Sequence, residues 1–214
     1  MRKRANKITI KYALSKRKQR FIFIVCLLFL ALLTFLDKGA FKQVWFVSET
    51  QRESLDFEKY HSHTFTITHV VDGDTLDIDC PDKKDRYTRI RLIGIDTPEI
   101  YSEPGPMYFG AEASDFVKRT AQGKEVTVYL DEGNDTRDKY GRLLAYIRLQ
   151  DGIFLNEIIL SEGYAYAYTK FRHSFYNKYK QLESHARSSK KGLWKNVTPE
   201  QMPSWRQEKS ETSE

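Results

Sequence analysis

Residues 64–80, TFTITHVVDGDTLDIDC, constrain the fold more than any other stretch of the chain. Polar and apolar residues alternate on both sides of Asp72-Gly73. Alternation at period two gives a strand one core face, and Asp-Gly favours a tight turn, so the stretch reads as a hairpin. YTRIRLIGID (87–96) continues as a third strand, and KEVTVYLD (124–131) and RLLAYIRL (142–149) read as two more. GAEASDFVKRTAQG (110–123) instead sets Ala113, Phe116, Val117 and Thr120 at helical spacing and ends on Gly123. FLNEIILSEG (154–163) reads as a short helix closed by glycine. SFYNKYKQLESHARSSKKG (174–192) reads as a longer one, striped by Phe175, Tyr179, Leu182 and Ala186. Five short strands with inserted and appended helices predict an α+β, mainly β domain: a five-stranded OB-like barrel with about three helices over residues 64–195.

Charge is informative through its distribution. The formal net charge is +6, but residues 1–20 hold nine Lys/Arg and no acid, which leaves −3 on residues 21–214. The globular part is therefore mildly acidic, and overall charge gives no support for binding a polyanion. After the basic block comes FIFIVCLLFLALLTFL (21–36), between the lengths of a signal-peptide core and a membrane span. The expectation is a single N-terminal transmembrane signal-anchor, with a cleaved signal peptide as the alternative. The basic block would stay in the cytoplasm and the later residues lie across the membrane, secreted if the segment is cut. Residues 37–63 read as a polar tether in which His61 and His63 are solvated, and 196–214 as a polar tail. With Cys26 in the apolar run, Cys80 has no partner in its own domain, so no disulfide framework or CxxC site is expected.

Two acidic turns carry the chemistry, VVDGDTLDID (70–79) and GIDTPE (94–99). Strand parity puts Asp74 on the side of Leu76 and Ile78, and Asp96 on the side of Ile90 and Leu92. If those apolar residues face the core, both carboxylates sit at its mouth, where an ion is costly without a counter-charge. Two converging carboxylates suit a hard cation bound through oxygen. Asp-Gly and Asp-Thr-Pro are also simple turn formers, so a purely structural reading stays open. Leu76 and Asp77 exclude an EF-hand, standing where that loop needs Asp/Asn and Gly. Arg91 and Arg142, brought beside a carboxylate-bound cation, would clamp a phosphate, and Glu99 would activate water.

In order and spacing, DGDT, RLIGIDTPE, GAEAS, DKYGR-LLAY, NE and KGLW resemble the staphylococcal (thermonuclease-like) nuclease family over roughly residues 64–195. The resemblance implies an OB-fold barrel with three helices and a Ca²⁺-dependent phosphodiesterase that cuts DNA and RNA to 3′-phosphate ends. It implies calcium on Asp74 and Asp96, with the Thr97 carbonyl completing the protein's share and Asp72 acting through water. Glu99 would be the general base or water-orienter, and Arg91 and Arg142 would grip the scissile phosphate. Lys139, Tyr140 and Tyr168 match substrate-contacting positions. The loop IYSEPGPMYFG (100–110) departs from the family pattern in lacking Lys and Arg and carrying Glu103. Its Tyr101, Tyr108 and Phe109 would stack on the bases of a single strand or pack the loop down. A nucleic-acid substrate, a membrane contact through 21–36 and no obligate protein partner are therefore expected. The rival is a tethered, non-catalytic OB module that binds nucleic acid or protein.

Overall fold

The Asp72-Gly73 turn forms as its dipeptide predicts, with the Val71 N–H donating to the Thr75 carbonyl at 2.9 Å. It joins β1 (Thr64–Val70) to β2 (Thr75–Ile78), which pair antiparallel with Val70 opposite Leu76. A Cβ on Gly73 would lie 2.7 Å from Thr97 Oγ1, so only glycine lets the two acidic turns approach this closely. The computed structural model describes residues 16–102 and 105–211, apart from the side chains of 16, 19, 35–50 and 208–211. Glu103 and the basic residues before Lys16 lie outside the described residues.

Strand β3 (Thr88–Leu92) pairs antiparallel with β2. After a turn at Gly94, the two-residue β4 (Ile95–Asp96) leaves the barrel. Helix α2 (Gly110–Ala121) and β5 (Glu125–Tyr129) follow. Strand β6 (Leu143–Arg148) runs parallel to β3, with Ile90 opposite Leu143, and antiparallel to β5. These five strands close in the order β1-β2-β3-β6-β5. Ile67, Leu76, Ile78, Ile90, Val128, Leu143 and Ile147 fill the interior and are fully buried. Each such aliphatic side chain contributes about 1.5–3 kcal/mol. Helix α3 (Leu155–Ser161), β7 (Tyr166–Ala167) and α4 (Tyr176–Ser188) cover one end, with β7 pairing antiparallel to β4.

The barrel and the predicted helices at 110–123, 154–163 and 174–192 are present, but the helix total is larger. Among the described residues there are five α-helices and two 3₁₀ turns, Gly192–Lys195 and Pro199–Gln201. The polar tail expected over 196–214 instead contains α5 (Ser204–Glu211). Its residue Trp205 is buried with Tyr166, Ala186, Leu193 and Trp194 in a second apolar cluster outside the barrel.

Residues 37–63 also differ from the expected tether. Helix α1 runs Lys16–Tyr60, and the chain divides into two compact units between Arg52 and Glu53. In the second unit, Tyr60 is fully buried and Asp56 nearly so. His61 accepts a hydrogen bond from the Leu130 N–H at 3.2 Å and stacks on Phe57, a packing role. For the expected transmembrane segment, among the described residues no helix is long and apolar enough to cross a membrane.

Candidate active site

The site is built where β2, β3 and β4 end. Asp74 precedes β2 and is 3% exposed. Its Oδ1 accepts the Thr75 hydroxyl at 3.1 Å and its Oδ2 the Thr97 N–H at 2.9 Å. Arg91, on β3, reaches Asp74 Oδ2 through Nη1 and Asp96 Oδ1 through Nη2, the latter at 2.8 Å. A single guanidinium thus bridges both expected metal carboxylates. Nη1 is buried against Asp74 Oδ2 as an ion pair without hydrogen-bond alignment. Asp72 Oδ1 accepts the Asp74 N–H at 3.0 Å and organises the turn from within it. The turn bearing Asp96 is pinned from below by buried Asn156, on α3. Asn156 accepts the Ile147 N–H at 3.1 Å and donates to the Ile93 carbonyl at 3.0 Å.

Arg89 faces Asp77 across β2–β3 and holds it in a two-pronged pair at 2.8 and 3.0 Å. It is therefore a structural residue. Arg142 opens β6 just after the turn that Asp138 organises. Asp138 Oδ1 accepts the N–H groups of Tyr140 (2.9 Å) and Arg142 (3.0 Å), and its Oδ2 accepts Arg142 Nε at 2.6 Å. That geometry explains DKYGR: an acid that caps its own turn, a residue to display, a glycine with positive φ, and a tethered arginine. Tyr140 is displayed, 73% exposed, with Lys139 Nζ 4.9 Å and Arg142 Cζ 5.4 Å from its ring centroid.

A cleft of about 720 Å³ collects these groups. Arg91, Asp96, Thr97 and Glu99 line one part; Lys139, Tyr140, Arg142 and Tyr168 also line it. Asp72 and Asp74 do not line the cleft, Asp74 lying behind Arg91. The electrostatics are those of acids in excess. Burial, then the neighbouring Asp74 charge, pushes Asp72 up to about 6. Partial desolvation, then Asp74 and Asp72, pushes Glu99 up to about 7 although the residue is exposed overall. Asp96 is also raised, by burial, against the pull of Arg91. Burial alone would lower Arg91, but Asp74 and Asp96 hold it above its ordinary value.

Four carboxylic acids around one arginine fit a hard divalent cation, which oxygen ligands and excess negative charge both favour. Among the described residues no three acid, His or Cys side chains stand together as a ready ligand cluster. The protein's share would therefore be small, Asp74 and Asp96 with Thr97 beside them, and water or phosphate oxygens would complete the shell.

Sequence reasoning missed Trp205. Its indole N–H donates to Asp96 Oδ2 at 2.8 Å, and Met202, Pro203, Ser204 and Trp205 form part of the cleft wall. The signals were present: a T-x-x-Q capping pattern at Thr198–Gln201, Pro203 just before a helix, and a lone tryptophan in a polar tail. Tyr168 lies edge-on to Trp205 with ring centroids 5.1 Å apart, and burial raises its pKa. In the loop 100–110, Tyr101 is 84% exposed, whereas Tyr108 and Phe109 pack on the second cluster.

The chain matches the family described as "Staphylococcal nuclease homologue" over residues 89–196. It is 33% identical over 146 residues to the "Thermonuclease" of Staphylococcus hyicus, spanning 67% of this chain and 83% of that protein. An "Uncharacterized endonuclease" of Escherichia coli O157:H7 is 32% identical over 139 residues, 65% of this chain and 80% of that one. "Endonuclease YhcR" of Bacillus subtilis is 30% identical over 143 residues, 62% of this chain but 11% of its own length.

Proposed function

Because the chain belongs to the staphylococcal nuclease homologue family, and is at family level a nuclease hydrolase, we propose that it is a Ca²⁺-dependent phosphodiesterase acting on DNA and RNA. The observation that carries the reading is the convergence of Asp74, Asp96 and Arg91 beside Glu99, in a cleft that Arg142 also lines. Asp74 and Asp96, with the Thr97 carbonyl, would hold the cation, and Asp72 would support Asp74 through its turn. Bound there, Ca²⁺ would add positive charge where the phosphate gains negative charge. Arg91 and Arg142 donate hydrogen bonds to the phosphate oxygens and stabilise the developing charge. Glu99 orients a water for in-line attack and accepts its proton. The new P–O bond forms as the bond to the 5′-oxygen breaks, leaving a 3′-phosphate and a 5′-oxyanion that takes a proton from solvent water to become a 5′-hydroxyl. Tyr140, flanked by Lys139 and Arg142, offers a stacking face to an unpaired base, and Tyr168 lines the same cleft. These features support a preference for single strands.

The test is digestion of denatured DNA and of RNA by the full chain with added Ca²⁺. Cleavage should vanish with a chelator and in Glu99→Gln, and the products should carry 3′-phosphates. A Ca²⁺-binding chain that cuts neither polymer under any condition would sink the reading in favour of a binding module. As to location, the basic block followed by an apolar run supports export of the domain across the cytoplasmic membrane. Digestion of the domain by protease added to intact cells tests this; full protection places it inside.

A further inference from the structure

Trp205 lies beyond the family-matched stretch, which ends at residue 196, yet it touches the central carboxylate of the site. Asp96 has two oxygens and the structure assigns a donor to each, from different elements: Arg91 Nη2 on Oδ1 and the Trp205 indole on Oδ2, both at 2.8 Å. A carboxylate held at both ends is confined to one orientation. The tryptophan is itself held. It is 8% exposed and lies edge-on to Tyr168. The next residue, Arg206, forms an ion pair with Glu183 of α4 at 2.8 Å. Glu183 in turn accepts the Ala167 N–H of β7 at 3.1 Å, and β7 pairs with β4, where Asp96 stands opposite Tyr166. These contacts form a closed circuit: Asp96, β7, Glu183, Arg206, Trp205 and back to Asp96.

We propose that Trp205 is a positioning residue that fixes the Asp96 carboxylate for cation binding, an addition that this chain's C-terminal helix makes to the site. The inference rests on the nuclease reading for what Asp96 binds, but the indole contact stands independently of it. Partners that orient a metal ligand typically change affinity 10–100-fold when lost. A packing role alone would leave affinity unchanged.

Trp205→Phe keeps an aromatic ring against Tyr168 and removes the indole donor together with some ring volume. Trp194→Phe is the matched control, since Trp194 belongs to the same cluster and its indole N–H has no partner. Calorimetric titration of the full chain with Ca²⁺ should show about tenfold weaker binding in Trp205→Phe and unchanged binding in Trp194→Phe. Unchanged affinity in Trp205→Phe would overturn the proposal and leave Trp205 a packing residue. Tighter binding would also overturn it, making the indole a competitor of the cation.

A second measurement needs no metal. In ¹⁵N-tryptophan-labelled chain, the resonance that disappears in Trp205→Phe is the Trp205 indole. It should shift and exchange faster with solvent in Asp96→Asn, because it loses a charged acceptor. If wild-type chain binds no Ca²⁺, the metal part of the functional reading fails. The indole measurement then rules alone: a resonance unmoved by Asp96→Asn overturns the positioning role, and a shifted one supports it.

Discussion

Arg91 and Arg137 are two largely buried arginines, each gripped by two aspartates, and they behave oppositely. Arg137 gives Nε and Nη2 to Asp56 at 2.8 and 2.7 Å. Its Nη1 reaches Asp82 at 2.6 Å and the Gly141 carbonyl at 2.9 Å. Thr136 donates a further bond to Asp56 at 2.8 Å. Every part of this guanidinium has an acceptor. Burial alone would lower its pKa, but Asp56 and Asp82 hold it well above the ordinary value. Arg91 faces a surplus of acids, keeps one donor without a directed bond, and lies on a cleft. Arg137 is a closed structural fastening, whereas Arg91 stands on the cleft among acids in excess.

Removing each arginine should separate the two roles. Arg137→Ala leaves buried Asp56 and half-buried Asp82 without their cation, which should cost about 3–5 kcal/mol. Thermal melting should register a drop on the order of 10 °C, while activity per folded molecule at low temperature is retained. Comparable melting of variant and wild type would break the contrast from the structural side. Arg142→Ala, on the cleft, should instead lower kcat by about 10²–10³-fold with little change in melting, as steady-state kinetics would show.

Cation addition sharpens the contrast next. Ca²⁺ at tens to a hundred times its Kd should raise wild-type stability by about 2–3 kcal/mol, and should not do so in Asp96→Asn. Scanning calorimetry with and without Ca²⁺ reads this directly.

The smallest effect concerns Asp131, an acid saturated like the Arg137 cluster. Burial works to raise its pKa, but donors outweigh it: the Ser174 N–H (2.8 Å), the Tyr146 hydroxyl (2.6 Å), the Gly133 N–H (3.0 Å) and Asn134 (3.1 Å). Its value falls to about 2 from 3.8. A lowered carboxylate contributes stability that is complete above the unfolded value and lost as pH falls toward the folded one. Melting temperature should therefore decline between about pH 4 and 2, and less steeply in Asp131→Asn. An identical acid limb in that variant would show that the four donors do not hold the charge. Asp72 and Glu99 move the other way, to about 6 and 7, because burial and then the neighbouring acid charges outweigh what lowers them.

Which residues would come together at the site was legible because most of them are local. Asp96, Thr97 and Glu99 lie within four residues on one turn, and DKYGR is a self-capped turn whose logic is complete in five. Strand parity was enough to place Asp74 beside Leu76 and Ile78, which are fully buried. What escaped has partners far along the chain. Asp56 is read as part of a polar tether until Arg137 arrives, and Trp205 as part of a polar tail until Asp96 does. Each lies in a stretch without strong periodicity, so only the tertiary contact reveals its role. The helix total failed for the same reason: α5 is held by Arg206 and Trp205 rather than by an apolar face.

The parallel pairing of β3 with β6 has a consequence for how this chain comes into being. Ile90 and Leu143 stand side by side although roughly fifty residues separate them, and pairing at such distance forms late compared with local turns. Arg91 and Arg142 adjoin those two positions, so the two arginines do not share one cleft in a growing polypeptide until the second strand has been translated and docked. The meeting of these two arginines is therefore a late acquisition of the growing chain, made after the local turns that carry each of them.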